Sequence, residues 1–223
     1  DPSGAADIVN IDHHPTNDRY GKINVVLDDA AAVAVIIYQL ISSFSEDHIT
    51  SEIAGYLYLG VLMDTGCFRF RNTDAEALHV ASRLIERGAR ADHIAREFYV
   101  KRKYSSVKLL SRVLAGIQLF KDGRIAMMTL TGEMLKECGA KMEDTEGFID
   151  FGTAIEGVEM AAFLRQLSDG GVKVSLRSLD RHDVSSLAES YGGGGHTNAA
   201  GVIIETNLEE CFKIVLKGLS EML

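Results

Sequence analysis

Cysteine is scarce in this chain of 223 residues: Cys67, Cys138 and Cys211 are the only three. They are far apart and odd in number, which excludes a Cys-x-x-Cys zinc site and a paired disulfide scaffold. A reducing cytosol fits, and cytoplasmic localisation is expected. Long hydrophobic runs are lacking as well. The longest apolar stretch, residues 30–41, is too short to span a bilayer and has no signal-peptide flanks, so no membrane partner is expected. Positive charge is the third shortage, since 23 Lys and Arg face 32 Asp and Glu for a formal charge of −9. Proteins that track long nucleic acid usually carry a basic stripe, because phosphate neutralisation supplies most of the affinity. Duplex DNA is therefore not an expected partner. A small anionic ligand held by a few local cations remains compatible, and surplus carboxylates suit a divalent-metal site. Aromatics make up 7% and the chain shows no internal repeat, an ordinary globular composition long enough for two modest cores.

What is present is an alternation of strand and helix signals, which indicates an α/β fold with a mainly parallel sheet. Residues 8–11 read as a short strand that ends at Asp12-His13-His14-Pro15, where Pro15 cannot donate to a ladder. The chain opens on Asp1-Pro2-Ser3-Gly4 and reaches this buried-strand pattern almost at once, so earlier elements are expected upstream. A second extended piece, 23–27, leads to a helix over 30–42. Thr50 caps the next helix, which carries Ile53, Ala54, Leu57 and Val61 on one face and runs into Asp64-Thr65-Gly66. Thr73-x-x-Glu76 has the form of a capping box, and Gly88 that of a C′ residue. Residues 92–120 have a helical pattern rich in Lys and Arg, which reads as a linker with a solvated basic face. A second unit then follows. It has a strand over 124–130, a helix between Thr131 and Gly139, and a helical stretch near 148–155. Next come strands 158–167 and 172–179 around the hairpin signal Asp169-Gly170-Gly171. A short helix over 184–191, the run Gly192–Gly195, a strand over 199–205 and a closing helix from about 208 complete it.

Three places can carry chemistry. Asp12-His13-His14 sits at the C-terminal end of a strand, where open α/β sheets place their ligands. A neutral imidazole binds divalent metals and a neighbouring carboxylate can orient it, while the second histidine can point at a phosphoryl oxygen. Alone, the tripeptide reads equally well as two surface histidines. Asp64, at the negative end of an apolar helix, is electrostatically unfavourable unless a cation compensates it. Gly192-Gly193-Gly194-Gly195-His196 lets backbone N–H groups converge on an anion, although plain glycine runs are usually linkers. Arg177, in Ser175-Leu176-Arg177-Ser178, is a solvent-facing strand residue or a phosphate fork; taken alone, the former is the simpler reading. His48, His79, His93 and His182 read as surface or rim residues.

In this order, Asp12-His13-His14-Pro15, Asp64-Thr65-Gly66 and Gly192-Gly193-Gly194-Gly195-His196 resemble the DHH/DHHA1 phosphoesterase superfamily. Within it the chain looks most like the bacterial oligoribonuclease and pAp phosphatase group. The flanks Ile11 through Asn17, Asp64 through Phe70 with Asn72-Thr73, and Val172 through Ser178 fit as well. The resemblance implies the C-terminal part of a Rossmann-like DHH domain over 1–104, a helical linker over 105–121 and a smaller α/β DHHA1 domain with a mixed sheet over 122–223. It implies two divalent ions, usually manganese. His13 and Asp64 would be metal ligands, Asp12 would support the site and His14 would contact the phosphoryl group. Arg177, Ser178, the four glycines and His196 would bind substrate. The implied partners are short single-stranded oligonucleotides or nucleotide bisphosphates, with a homodimer plausible for the family. The family's first metal-binding motif, a His- and Asp-rich loop, is expected upstream of Asp12. Thr197 stands where the family often has a basic residue.

Overall fold

The computed structural model describes residues 7–14, 16–168, 170–179 and 181–223. The strand stop expected at Pro15, the Asp169 position of the hairpin and the opening Asp1-Pro2-Ser3-Gly4 lie outside the described residues. The chain divides into two compact units, Asp1–Lys101 and Arg102–Leu223.

In the first unit, β1 (Val9–Asp12) and β2 (Ile23–Val26) form a parallel pair in which Asp12 registers with Val26. Helices α1 (Val33–Phe44), α2 (Ser51–Asp64), α3 (Ala75–Glu86) and α4 (Ala91–Ala95) follow. Thr50 caps α2 as its sequence indicates, its hydroxyl accepting from the Ile53 N–H at 3.3 Å. The α2 face expected to be apolar buries Ala54, Leu57 and Val61 in one core with Val35, Val80 and Leu84. The capping box does not form as expected. Asp74, one residue on, caps α3 by accepting from Ala77 N at 2.7 Å, and Glu76 accepts instead from Gln39 Nε2. A carboxylate in the cap position also meets the positive end of the helix, which a threonine hydroxyl does not.

The segment expected to be one helical linker is broken. After α4 the chain forms a π-helical turn (Arg96–Val100), passes extended residues, and restarts as α5 (Tyr104–Ala115). Leu109 and Val113 of α5 are fully buried in the second unit's core, so the helix is one of that unit's layers. The basic side chains of the segment are largely compensated: Arg96 pairs with Asp92, Lys101 with Glu97, Lys103 with Asp144 and Arg112 with Glu137.

The second unit continues with β3 (Gln118–Phe120), β4 (Ile125–Leu130), α6 (Gly132–Cys138), α7 (Asp150–Thr153), β5 (Met160–Gln166) and β6 (Val172–Ser178). It closes with α8 (Val184–Glu189), β7 (Gly194–His196), β8 (Ala199–Ile204) and α9 (Leu208–Glu221). The strands make one six-stranded mixed sheet in the order β3-β4-β5-β6-β8-β7, with β4 and β5 parallel. Alternation along β6 sends Val174 and Leu176 into a core with α8 and α9, while Ala161 and Phe163 of β5 join α5, α6 and Phe148 on the other face. The α/β class with a mixed second sheet is thus observed. No helix among the described residues is long and apolar enough to cross a membrane.

Candidate functional site

The C-terminal ends of β1 and β2 carry the first cluster. Leu27 N–H donates to the Asp12 carbonyl, which extends the parallel pairing to the point where the side chains emerge. Asp12 Oδ1 accepts from His13 N (2.7 Å), from His14 N (3.3 Å) and from His14 Nδ1 (2.6 Å). Its Oδ2 accepts from Asn17 Nδ2 at 2.5 Å. The His14 bond, helped by the Asn17 and backbone donors, holds the Asp12 carboxyl well below the usual carboxylate range. A carboxylate that stays ionised can only accept, so His14 keeps its Nδ1 proton and presents Nε2 outward. Asn17 is placed by the nearly buried Asn10, whose Nδ2 donates to the side chains of Asn17 and Asn24.

His13 is oriented differently. Its Nδ1 lies 3.1 Å from the Ala30 carbonyl oxygen, which can only accept. The neutral ring therefore carries its proton on Nδ1 and its lone pair on Nε2. Nε2 lies 3.7 Å from Asp64 Oδ2. The structure therefore brings together two residues that stand 51 positions apart in the sequence.

Close packing of α1 on α2 explains that meeting. At Gly60 a Cβ would lie 2.8 Å from Ala34 Cβ, so only glycine permits this approach, one turn before α2 ends at Asp64. The helix end is fixed by buried Thr65, whose hydroxyl donates to Val61 O at 2.7 Å. Three consecutive left-handed residues then turn the chain away: Gly66 (φ 56°), Cys67 (φ 60°) and Phe68 (φ 60°). Each of the two non-glycine residues costs about 1–2 kcal/mol in that region. Bonds from Cys67 N to Leu62 O (2.7 Å) and from Phe68 N to Thr65 Oγ1 (3.2 Å), with Phe68 packed edge-on against Tyr58, offset the cost.

The donor set fits a divalent ion. Two ligand atoms each about 2.1 Å from one ion lie about 3–4 Å apart, and the His13–Asp64 separation falls in that interval. Asp64 at a helix C-terminus, with 42% of its side chain exposed, is a carboxylate that a cation would stabilise.

In the second unit, strand register sets out the other sequence-derived residues. Arg177 pairs with Ala199 and Ala199 with His196, so all three share one row on one face. The adjacent row is Ser175, Gly201 and Gly194. Two basic groups therefore flank a floor of small residues. Arg177 Nε lies 3.8 Å from Asp150 Oδ1, and Nη1 donates to the Leu176 carbonyl. Ser178, expected to bind substrate, is buried with its hydroxyl committed: it donates to His182 O at 2.6 Å and accepts from Asn198 Nδ2 at 2.9 Å. By alternation it lies on the face opposite Arg177. The glycines are not equivalent either. Cβ atoms at Gly193 and Gly195 would lie 2.3 Å from the carbonyls of Gly201 and Ala199, whereas Gly192 and Gly194 face open space. Half of the run thus serves packing of the chain on β8.

Some residues of the second unit stand out only in the structure. Arg165 is 6% exposed, stacks over Phe163 at 5.1 Å and donates to Thr145 Oγ1 at 3.2 Å and to Ser175 Oγ, on the Arg177 face. Burial pulls its guanidinium pKa down. Its place on alternate positions with Phe163 is a readable signal, but nothing in the sequence marks it as charged and buried. His182, expected at the surface, is also only 6% exposed. Its Nε2 lies 2.6 Å from Glu159 Oε2, and Glu159 also accepts from Arg124 Nε at 2.7 Å. Arg124 first, then His182, lower the Glu159 carboxyl to about 2. The buried group is held by its carboxylate, which a charged turn in the sequence does not reveal.

Residues 124–222 match the family model of the DHHA1 domain. The match takes in the second unit from β4 to α9. Over 217 residues the chain is 34% identical to the "bifunctional oligoribonuclease and PAP phosphatase NrnA" of Thermus thermophilus, covering 97% of this chain and 64% of that protein. It is 29% identical over 205 residues to the Bacillus subtilis protein of the same name, with 91% and 64% covered. A crystal structure of an exopolyphosphatase-related protein from Bacteroides fragilis matches with a TM-score of 0.89 at 28% identity, covering 96% of this chain and 63% of that one. The similarity to these relatives therefore runs through both units. The chain spans somewhat under two thirds of the length of these relatives.

Proposed function

We propose that the chain carries part of the active site of a metal-dependent phosphoesterase that hydrolyses short oligonucleotides and pAp-type 3′,5′-bisphosphonucleotides. The observation that carries the reading is the His13–Asp64 pair, with the His13 lone pair aimed at the carboxylate by the Ala30 carbonyl. His13 and Asp64 would hold a divalent ion, with manganese in two copies as the family suggests. Such an ion supplies an activated water and neutralises charge at the phosphorus. Asp12 keeps its charge and fixes His14, so that His14 offers Nε2 to a phosphoryl or leaving-group oxygen. In the DHHA1 domain, Arg177 and His196 flank a floor of small residues suited to a phosphate or a base. The names of the relatives in Thermus and Bacillus support the substrate class.

The rivals within the enzyme class are a cyclic- or linear-dinucleotide phosphodiesterase and a polyphosphatase, the latter favoured by the likeness to the exopolyphosphatase-related protein of Bacteroides. Turnover of pAp, dinucleotides and polyphosphate by the full natural polypeptide in manganese ranks them. We expect pAp and dinucleotides to be hydrolysed, with His13→Ala and Asp64→Asn each abolishing turnover. Nucleotide binding without hydrolysis would instead favour a degenerate nucleotide-binding module.

A further inference from the structure

His13 and Asp64 come from different segments that the α1–α2 crossing brings together, and a hydrogen-bonding side chain also ties the backbone beside one to the backbone of the other. His13 is aimed by the carbonyl of Ala30, in the segment before α1. Asp64 is the last residue of α2, where helix carbonyls have no partner within the helix. One side chain reaches both places. Asn72 Nδ2 donates to the Ala31 carbonyl at 2.9 Å and to the Asp64 carbonyl at 3.0 Å. A side-chain amide nitrogen has two N–H donors, and here both are spent, one on each ligand's supporting segment.

We infer that Asn72 is a positioning residue that sets the distance between His13 and Asp64 and so the affinity of the site for a divalent cation. The inference rests on the metal reading of that pair. Asn72 itself is exposed, so packing does not explain its placement. The neighbouring Thr73 hydroxyl has no hydrogen-bond partner among the described residues, so the two adjacent polar side chains differ in their bonding. Replacing Asn72 by Asp keeps the shape but removes both donors and sets a negative group against two carbonyl oxygens. Groups that orient metal ligands from behind typically change affinity by about 10–100-fold.

The test is manganese uptake by the full natural polypeptide, followed through loss of the free Mn²⁺ paramagnetic resonance signal, with thermal unfolding in EDTA measured alongside. Asn72→Asp and Asn72→Ala should weaken uptake about tenfold or more while unfolding in EDTA stays cooperative and close to the parent. Thr73→Ala should leave uptake unchanged. Uptake by both Asn72 variants equal to the parent overturns the inference and leaves the metal site standing. A fall in uptake matched by a comparable loss of stability in EDTA also overturns it, because a merely structural residue behaves that way. A parent protein that takes up no manganese removes the metal reading and this inference together.

Discussion

The two halves of the glycine run offer a sharp test of what the run is for. If all four glycines serve ligand approach, any methyl group added there should affect binding and leave folding alone. The structure separates them. At Gly195, φ is 149° and a Cβ would lie 2.3 Å from Ala199 O and 2.6 Å from Ala200 Cα. Both neighbours are backbone of β8, so β7 would have to move away by about 1 Å, since overpacked atoms of this kind must shift bodily. That movement breaks the pairing of Gly195 with Ala200 and weakens the flanking pairs. Lost ladder bonds at about 1 kcal/mol each, added to about 1–3 kcal/mol for a side chain in a glycine-only conformation, put Gly195→Ala at roughly 2–4 kcal/mol. For a domain of this size that is on the order of 10 °C in the unfolding midpoint. At Gly194 a Cβ would meet nothing within 4 Å, so Gly194→Ala should be neutral or stabilise by up to about 1 kcal/mol. The added methyl would nonetheless stand on the row next to Arg177 and His196, and should weaken nucleotide binding. Urea unfolding by circular dichroism and calorimetric titration with pAp separate the two effects. Equal destabilisation by both substitutions, or a neutral Gly195→Ala, would refute the packing account.

Other expectations follow from the same geometry. Leu109→Ala, which empties a fully buried site in the core of the second unit, should cost about 2–5 kcal/mol by chemical denaturation; half-exposed Val107→Ala should cost little. Asp12→Asn should lower kcat about tenfold or more with little change in manganese uptake, since Asp12 is hydrogen-bonded to His14 and is not one of the two proposed ligands; an unchanged kcat would dismiss that role. Glu159 and Glu46 are both held near 2, the first by Arg124 and then His182, the second by Arg83, Tyr38 and Arg87. Both values are depressed from 4.5, so their stabilisation is complete above that pH and is lost as pH falls from about 4.5 towards 2. Glu159→Gln should flatten this part of the stability profile, which thermal scans across the window will show.

Local signals are legible where a residue acts on its immediate neighbours. Thr50 and Thr131 cap their helices and Gly139 takes the left-handed C′ position, because a cap needs only three or four residues of context. Thr73 loses its cap position to Asp74 because both residue types fit the pattern and only helix geometry decides between them. The basic segment looks like one helix because its periodicity continues through the break at 101–103; burial of Leu109 and Val113 in the second core is not visible in that pattern. The candidate site is legible as residue types but not as a pair. Asp64 meets His13 through the tight Gly60–Ala34 crossing, a long-range contact without a local signature. His182 and Arg165 escape a sequence reading because a charged residue in a polar context looks the same whether solvent or a buried partner satisfies it.

The left-handed turn after Asp64 bears on how the first unit breathes. At Cys67 and Phe68 the backbone goes against its own preference, so local and global demands conflict at that point. Segments under such conflict open more readily than the helices around them. Amide hydrogens of this turn should therefore exchange with solvent well before those of mid-α2. A cation bridging His13 and Asp64 would close that opening, making the turn the place where ligation is felt as slowed exchange.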